Sequence, residues 1–287
     1  MHEASIGQTV TNYFRQWGFQ TFKYFVYTAL AVNVYLFFRE EWLASKVVFA
    51  AGISLDTIIE AFSSTIDTAA WLVLLLLFEL ETYVLDDDKL VGTTKRLLHG
   101  VRMFCYIFIL YALYGYLTKV GLLGQFTLTQ VTDLCTLSKA WTYMDTLNVY
   151  DPFTSETCRA LSTANTEFYV HDKYQVITSA SKLTDVKMLA WVDVINSAAW
   201  VSVVLMLEID VRTQLGTISN AMWNKYNKYI KVTVYTILLL AAIFWGVTGN
   251  FIEFWDAFLW LLAFALIERN VFEWQAEVED RKNSQKD

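Results

Sequence analysis

Apolar residues gather into six charge-poor runs: about Phe22–Phe38, Thr68–Leu85, Met103–Leu122, Met188–Leu207, Val232–Gly249 and Phe251–Ile267. Each approaches the roughly 20 residues that a helix needs to cross a hydrocarbon core about 30 Å thick. The pattern predicts an all-α polytopic membrane protein with six transmembrane helices. Ahead of the first run, Tyr13, Phe14, Trp17 and Phe19 predict a short helix lying at the membrane interface. No small-residue cleavage site follows the first apolar run, so no removable signal peptide is expected. Residues 39–66 mix apolar positions with Asp56 and Glu60, and are expected to hold a helix that runs on into the second span.

The stretch 123–187 departs from this pattern, being polar and rich in Ser and Thr. Leu134, Leu137, Trp141 and Met144 have helical spacing, and Asp151-Pro152 marks a turn. Glu167–Val170 and Tyr174–Thr178, separated by His171-Asp172-Lys173, read as a hairpin. Cys135 and Cys158 share this stretch, and a disulfide between them is expected if it faces an oxidising compartment; the alternative is two reduced thiols. In the chain-entropy model such a staple contributes about 3 kcal/mol. The third cysteine, Cys105, lies in an apolar run and reads as a small core residue.

One stretch is written three times. Asp67–Glu81, Asn196–Asp210 and Asp256–Asn270 align on Trp71, Trp200 and Trp260; each Trp has Asp or Asn four residues before it and Glu eight residues after it, namely Glu79, Glu208 and Glu268. The preceding spans echo one another as well, with Lys23 followed by Tyr27, Arg102 by Tyr106 and Lys231 by Tyr235. The repeat predicts three helical hairpins. The first unit, 1–85, holds the interfacial helix and two spans; the second, 86–215, holds the next two and the outer loop domain 123–187. The third, 216–272, holds the last two, and 273–287 is a cytoplasmic tail. Three two-helix units invite comparison with mitochondrial carriers, but their Pro-x-Asp/Glu-x-x-Lys/Arg signature is absent.

Short connections carry their Lys and Arg on one side: Lys89, Lys95, Arg96 and Arg102 in one, Arg212, Lys225, Lys228 and Lys231 in another, against only Arg39 and Lys46 in 39–56. The positive-inside rule then places both termini in the cytoplasm and the cysteine-bearing loop outside, in a plasma or bacterial inner membrane. Composition narrows the partners. The chain of 287 residues has 55% apolar residues and 18% charged ones, with a net charge of −7. That balance fits a lipid bilayer and argues against nucleic acid or a polybasic lipid anchor; a homo-oligomer or larger membrane complex is compatible with it. The single Pro152 and sparse Gly predict unbroken helices, unlike many alternating-access transporters.

Function rests on the membrane acids. Asp67 and Glu79 stand 12 residues apart, about 18 Å along a helix. One reading is structural: Glu79, Glu208 and Glu268 lie toward helix C-termini, where the dipole disfavours a negative charge, and Lys23, Arg102 and Lys231 at the same depth would pair with them. The other is a conduction path. The apolar cores read as carrying acids and no Lys or Arg, so Asp67, Asp193 and Asp256 would form an outer ring, joined by Glu253 and the inner Glu set, as acids do in cation channels. The outer acids have no evident partner. The favoured function is a cation or proton channel or transporter; the alternative is a non-catalytic scaffold that recruits partners through its outer cap and aromatic surfaces. No nucleophile elbow, phosphate loop or dinucleotide fingerprint is present, so no enzymatic activity and no cofactor is expected. His2, His99 and His171 are far apart, which supports no metal cluster. Asp86-Asp87-Asp88 reads as a solvated helix end.

Overall fold

The computed structural model describes residues 2–50, 52–81, 92–137, 140–162, 166–214 and 221–265. They divide into two compact units, one drawn from residues 1–33 and 242–287 and the other from 34–241. Helix α1 spans His2–Ala50 without a break, so the expected interfacial segment is simply its beginning. No proline interrupts it.

The segment expected to run on into the second span instead breaks twice. Ser54 opens α2 (Leu55–Ala61) with a reciprocal cap: its hydroxyl accepts from the Thr57 backbone N–H, and its own N–H donates to the Thr57 hydroxyl at 2.8 Å. Phe62, at φ −121° and ψ 27°, then ends that helix, and α3 (Ser63–Glu79) starts afresh. Phe62 has no side-chain oxygen with which to cap α3. The first N–H groups of α3 therefore need a partner from elsewhere.

Helix α4 (Gly92–Leu123), long and apolar enough to cross a membrane, hides its packing pattern. Its buried residues Leu98, Cys105, Ile109, Ala112, Tyr116, Lys119 and Leu123 follow one stripe, while Phe104, Phe108, Leu110, Tyr111, Tyr114 and Leu117 are equally apolar and exposed. The exposed face is as apolar as the buried one, so hydrophobicity alone does not mark the inner side. Gly115 is required on that stripe. A Cβ there would stand 2.9 Å from the Ile59 carbonyl oxygen and 3.0 Å from the Ser63 Cβ. Glycine thus lets α4 press against the α2–α3 break. Cys105 is buried and free, as expected.

After α4 comes a folded cap, and here the all-α expectation is corrected. Strands β1 (Thr127–Thr129), β2 (Thr142–Thr146) and β3 (Val149–Pro152), the short helix α5 (Thr157–Leu161), and strands β4 (Phe168–His171) and β5 (Val176–Ser179) build one five-stranded sheet in the order β1-β4-β5-β2-β3. All pairs are antiparallel except β2 with β5. The expected hairpin is β4–β5, closed through Gln175 in the left-handed region at φ 52°. The helical spacing of Leu134 to Met144 was misleading. Leu134 sits in a single 3-10 turn and Met144 in β2, because both faces of the sheet are covered and the period-2 alternation is filled in. Tyr143, Ile177, Phe168, Leu134 and Cys158 pack one core; neighbouring Met144 and Val176 face the other way, onto Leu123, Leu183 and Val186. The Cys135–Cys158 disulfide staples the first core, as predicted.

Helix α6 (Ala180–Gln214) leads directly out of β5, and α7 (Ala221–Thr248) follows. A turn through Gly249 at φ 83° opens a further helix, α8, over 251–265. Among the described residues, four stretches are long and apolar enough to cross a membrane: Gly18–Ala50, Gly92–Leu123, Ala180–Met206 and Tyr226–Thr248.

Candidate functional site

In the larger unit the α2–α3 break generates a buried polar assembly. The exposed α3 N–H groups are met by Glu41 of α1, whose carboxylate accepts from Ser64 N at 2.9 Å, Thr65 N at 3.0 Å and the Thr65 hydroxyl at 2.7 Å. A carboxylate at a helix N-terminus is favoured both by those donors and by the dipole. Glu41 is 1% exposed, and Lys119 of α4 supplies a counter-charge at 3.6 Å. Lys119 corrects the expectation that the apolar cores carry no basic residue. Its ammonium also donates to Asn148 Oδ1 at 3.3 Å. Asn148 is the tip of the β2–β3 hairpin, in the left-handed region at φ 66° that Asn tolerates. One lysine thereby ties α1, α4 and the cap together.

Below this pair the network continues. The Ser64 hydroxyl meets the Tyr116 hydroxyl, which donates to Asp67 Oδ2 at 3.4 Å, and the Asp193 charge of α6 also acts on that phenol. Asp67 Oδ1 accepts from Trp71 Nε1 at 2.9 Å, and the Trp71 ring packs on Trp200 with centroids 5.9 Å apart. The expected lack of partners for the outer acids is therefore corrected at Asp67. The recurring Asp-to-Trp spacing now has a cause, since residues four apart on a helix face one another. In the smaller unit Asp256 accepts from Trp260 in the same way, and from Asn33 Nδ2 at 3.1 Å. The middle copy differs. Asn196 Oδ1 is buried with no hydrogen-bond partner.

Above the Lys119–Glu41 pair lie two adjoining cavities of about 30 and 20 Å³. The first is lined by Lys119, Asn148, Glu60 and Tyr150; the second by Glu60, Tyr150, His171 and Tyr174, and Met144 borders both. Burial pushes the Glu60 carboxyl above the ordinary carboxylate range, against the opposing charges of Lys119 and Lys173. Burial, reinforced by the Glu60 and Tyr174 charges, raises the Tyr150 hydroxyl to about 12. His171 is 5% exposed between the Phe126 and Tyr174 rings, and neither ring nitrogen has a hydrogen-bond partner.

Of the predicted structural pairs, Lys23 and Glu79 are each buried, and Arg102 bonds Glu81. Lys231, Glu253 and Asp193 all have interaction partners. The side chain of Glu208, all of Glu268 and the Asp86-Asp87-Asp88 run lie outside the described residues. Sequence reading missed Glu41, Lys119, Tyr116 and His171 as a group, because they stand on different elements and meet only through the α2–α3 break and the cap. Among the described residues no His/Cys/Asp/Glu group is placed to hold a metal ion. No family model, curated protein or solved structure matches this chain.

Proposed function

We propose that this chain is a multi-pass membrane protein that moves protons along the buried line Glu60, Lys119, Glu41, Ser64, Tyr116 and Asp67. What supports the reading is the continuity of that line. From the cap cavities to the start of α3, Glu60 and Lys119 line one cavity, Lys119 pairs with Glu41, Glu41 accepts from the Ser64 backbone N–H and the Thr65 hydroxyl, and the Ser64 hydroxyl meets the Tyr116 phenol that donates to Asp67. Protons hop between such groups, whereas Lys119 standing on the line repels a metal cation. Buried acids of membrane helices mark ion and proton pathways more often than packing sites.

In this reading α1, α3, α4, α6, α7 and α8 make six crossings, the termini are cytoplasmic and the cap is outside. The three-hairpin repeat is favoured by the Asp67–Trp71 and Asp256–Trp260 bonds. Nothing in the reading requires an enzymatic step or a cofactor. Oligomerisation through the exposed apolar faces belongs to the same proposal. The rival reading, a rigid scaffold subunit, is favoured by one observation: Glu41 and Asp67 already spend their oxygens on internal donors.

The test is proton flux in liposomes holding the full-length protein, driven by a potassium diffusion potential and read with an internal pH dye. Flux above empty vesicles, lost in Asp67→Asn, supports the proposal. Flux of Na⁺, K⁺ or divalent ions without H⁺ replaces it with a cation path, and no flux of any ion leaves the scaffold reading.

A further inference from the structure

The cavities beneath the cap contain a group that the line itself does not use. His171 is more than nine-tenths buried, lines the smaller cavity, and has no partner for either nitrogen. An unmade hydrogen bond at a buried polar group costs about 1–3 kcal/mol, so the imidazole is expected to be satisfied by whatever fills the space. The space is small. Volumes of about 30 and 20 Å³ hold one or two water molecules and exclude an organic ligand. Glu60 and Tyr150 line the same cavity as His171, so three residues with polar side-chain groups border a space in which an ordered water needs two to four polar partners.

The groups around His171 fix what it can do. Phe126, after α4, and Tyr174, in a 3-10 turn over Asp172–Tyr174, pack their rings against it. From α2 comes Glu60, and from β3 Tyr150. On its own segment, Asp172 and Lys173 are exposed at the rim; Asp172 favours the charged ring and Lys173 opposes it. Lys119 belongs to the larger cavity, which shares Glu60, Tyr150 and Met144 with the smaller. Among these neighbours, Glu60 is the one carboxyl shared by both cavities.

We infer that this chamber is where protons enter the line from the cap side, His171 and Glu60 exchanging a proton through chamber water. The inference rests on the proton reading above. In the step, an imidazolium N–H gives its proton to a water, and that water passes one of its own to the Glu60 carboxylate. The ring returns to neutral and Glu60 becomes a carboxylic acid; only N–H and O–H bonds change, and no electron is transferred.

Two measurements on the full-length protein test it: proton flux in liposomes as a function of pH on the cap side, and the ¹⁵N-imidazole titration of His171 in nanodiscs. The variants are His171→Gln and Glu60→Gln, both close in shape to the native residue, and single-peak elution on size exclusion confirms folding. Positioned proton donors contribute about 10²–10⁴ in rate, so flux in either variant is expected to fall by about tenfold or more. In Glu60→Gln the His171 midpoint is expected to move down, because a carboxylate lining the same cavity, which would favour the imidazolium, has been removed. Wild-type flux that persists unchanged in His171→Gln overturns the inference and leaves the proton reading standing. Absence of flux in the wild type overturns both. A His171 midpoint indifferent to Glu60→Gln overturns the exchange even where flux is seen.

Discussion

Removing the Lys119 charge should cost more than removing it together with its partner. Lys119→Met keeps the aliphatic stem and leaves Glu41, 1% exposed, as an uncompensated charge. Breaking one side of a buried pair typically costs about 3–5 kcal/mol. Here Glu41 keeps its three bonds to Ser64 and Thr65 at the α3 N-terminus, so the lower end, about 3 kcal/mol, is expected. Lys119→Met also takes away the Asn148 contact, a hydrogen bond to a charged group worth about 1.5–3 kcal/mol, and the cap should loosen with it. Glu41→Gln retains an acceptor oxygen for the α3 N–H groups, and its effect should be smaller than that of Lys119→Met. The double variant Glu41→Gln/Lys119→Met removes both charges and should recover about 1–2 kcal/mol of the loss, a coupling typical of residues in contact. The assay is reversible unfolding in mixed micelles, with protease cleavage in 123–187 as a separate reading of the cap. A double variant no more stable than Lys119→Met would refute the reasoning, since it would mean that the lysine acts through packing and that Glu41 is satisfied without it.

Further outcomes can be measured independently. Gly115→Ala drives a methyl to within 2.9 Å of the Ile59 carbonyl, and overpacking of this kind should destabilise by about 1–3 kcal/mol in the same unfolding assay. Cys135→Ser/Cys158→Ser opens a crosslink spanning 23 residues and should lower cap stability by about 3 kcal/mol, seen as faster proteolysis of the cap with the membrane helices still protected. Trp71→Phe loses a bond to a carboxylate and should cost about 1.5–3 kcal/mol; equal stability to wild type would show that the bond is idle. The His171 ring is held below its ordinary range, chiefly by burial, so the unfolded cap binds a proton more readily than the folded one. Its contribution is intact above the unfolded value of about 6.5 and is lost as pH falls below it. Glu60 has the opposite sign, because burial raises its carboxyl. The two partly offset each other on acidification, so the histidine is read as a difference: below about pH 6.5 the cap of the wild type should lose protection from proteolysis relative to that of His171→Gln.

The helical segments were legible because crossing a membrane needs only length and apolarity, and the disulfide because two cysteines shared one polar stretch. Which face of α4 is inner was not legible, since Phe104 and Cys105 differ in burial and hardly in hydrophobicity. The sheet was half legible. The β4–β5 hairpin has a visible turn, but β2 pairs with β5 across more than thirty residues of chain and in parallel, and its double-sided burial erases alternation. The polar line was the least legible part. Its members belong to α1, α2, α3 and α4, so nothing in their spacing joins them. Phe62, the residue that creates the demand, shows no breaker signal of the Gly or Pro kind.

The recurring Asp-to-Trp spacing first suggests a binding site written three times, and the structure gives it a different meaning. An indole at i+4 is a donor placed over the carboxylate at i, which lets an acid enter a membrane helix with one hydrogen bond already made inside the same element. At Asp67 that bond occupies one oxygen and leaves the other to Tyr116; at Asp256 the corresponding partner is Asn33. The repeated feature is thus a holder, and what differs between Asp67 and Asp256 is the further group that bonds the carboxylate. A phenol in contact with Ser64 adds an ionisable hydroxyl beside Asp67 on the side toward Glu41, whereas the Asn33 amide adds no titratable group beside Asp256. The middle copy, with Asn196 in place of the acid and its Oδ1 unpartnered, carries no charge at this position. If protons move through this protein, the difference between Tyr116 and Asn33 as second partner is the physical reason to expect them at Asp67 rather than at all three repeats.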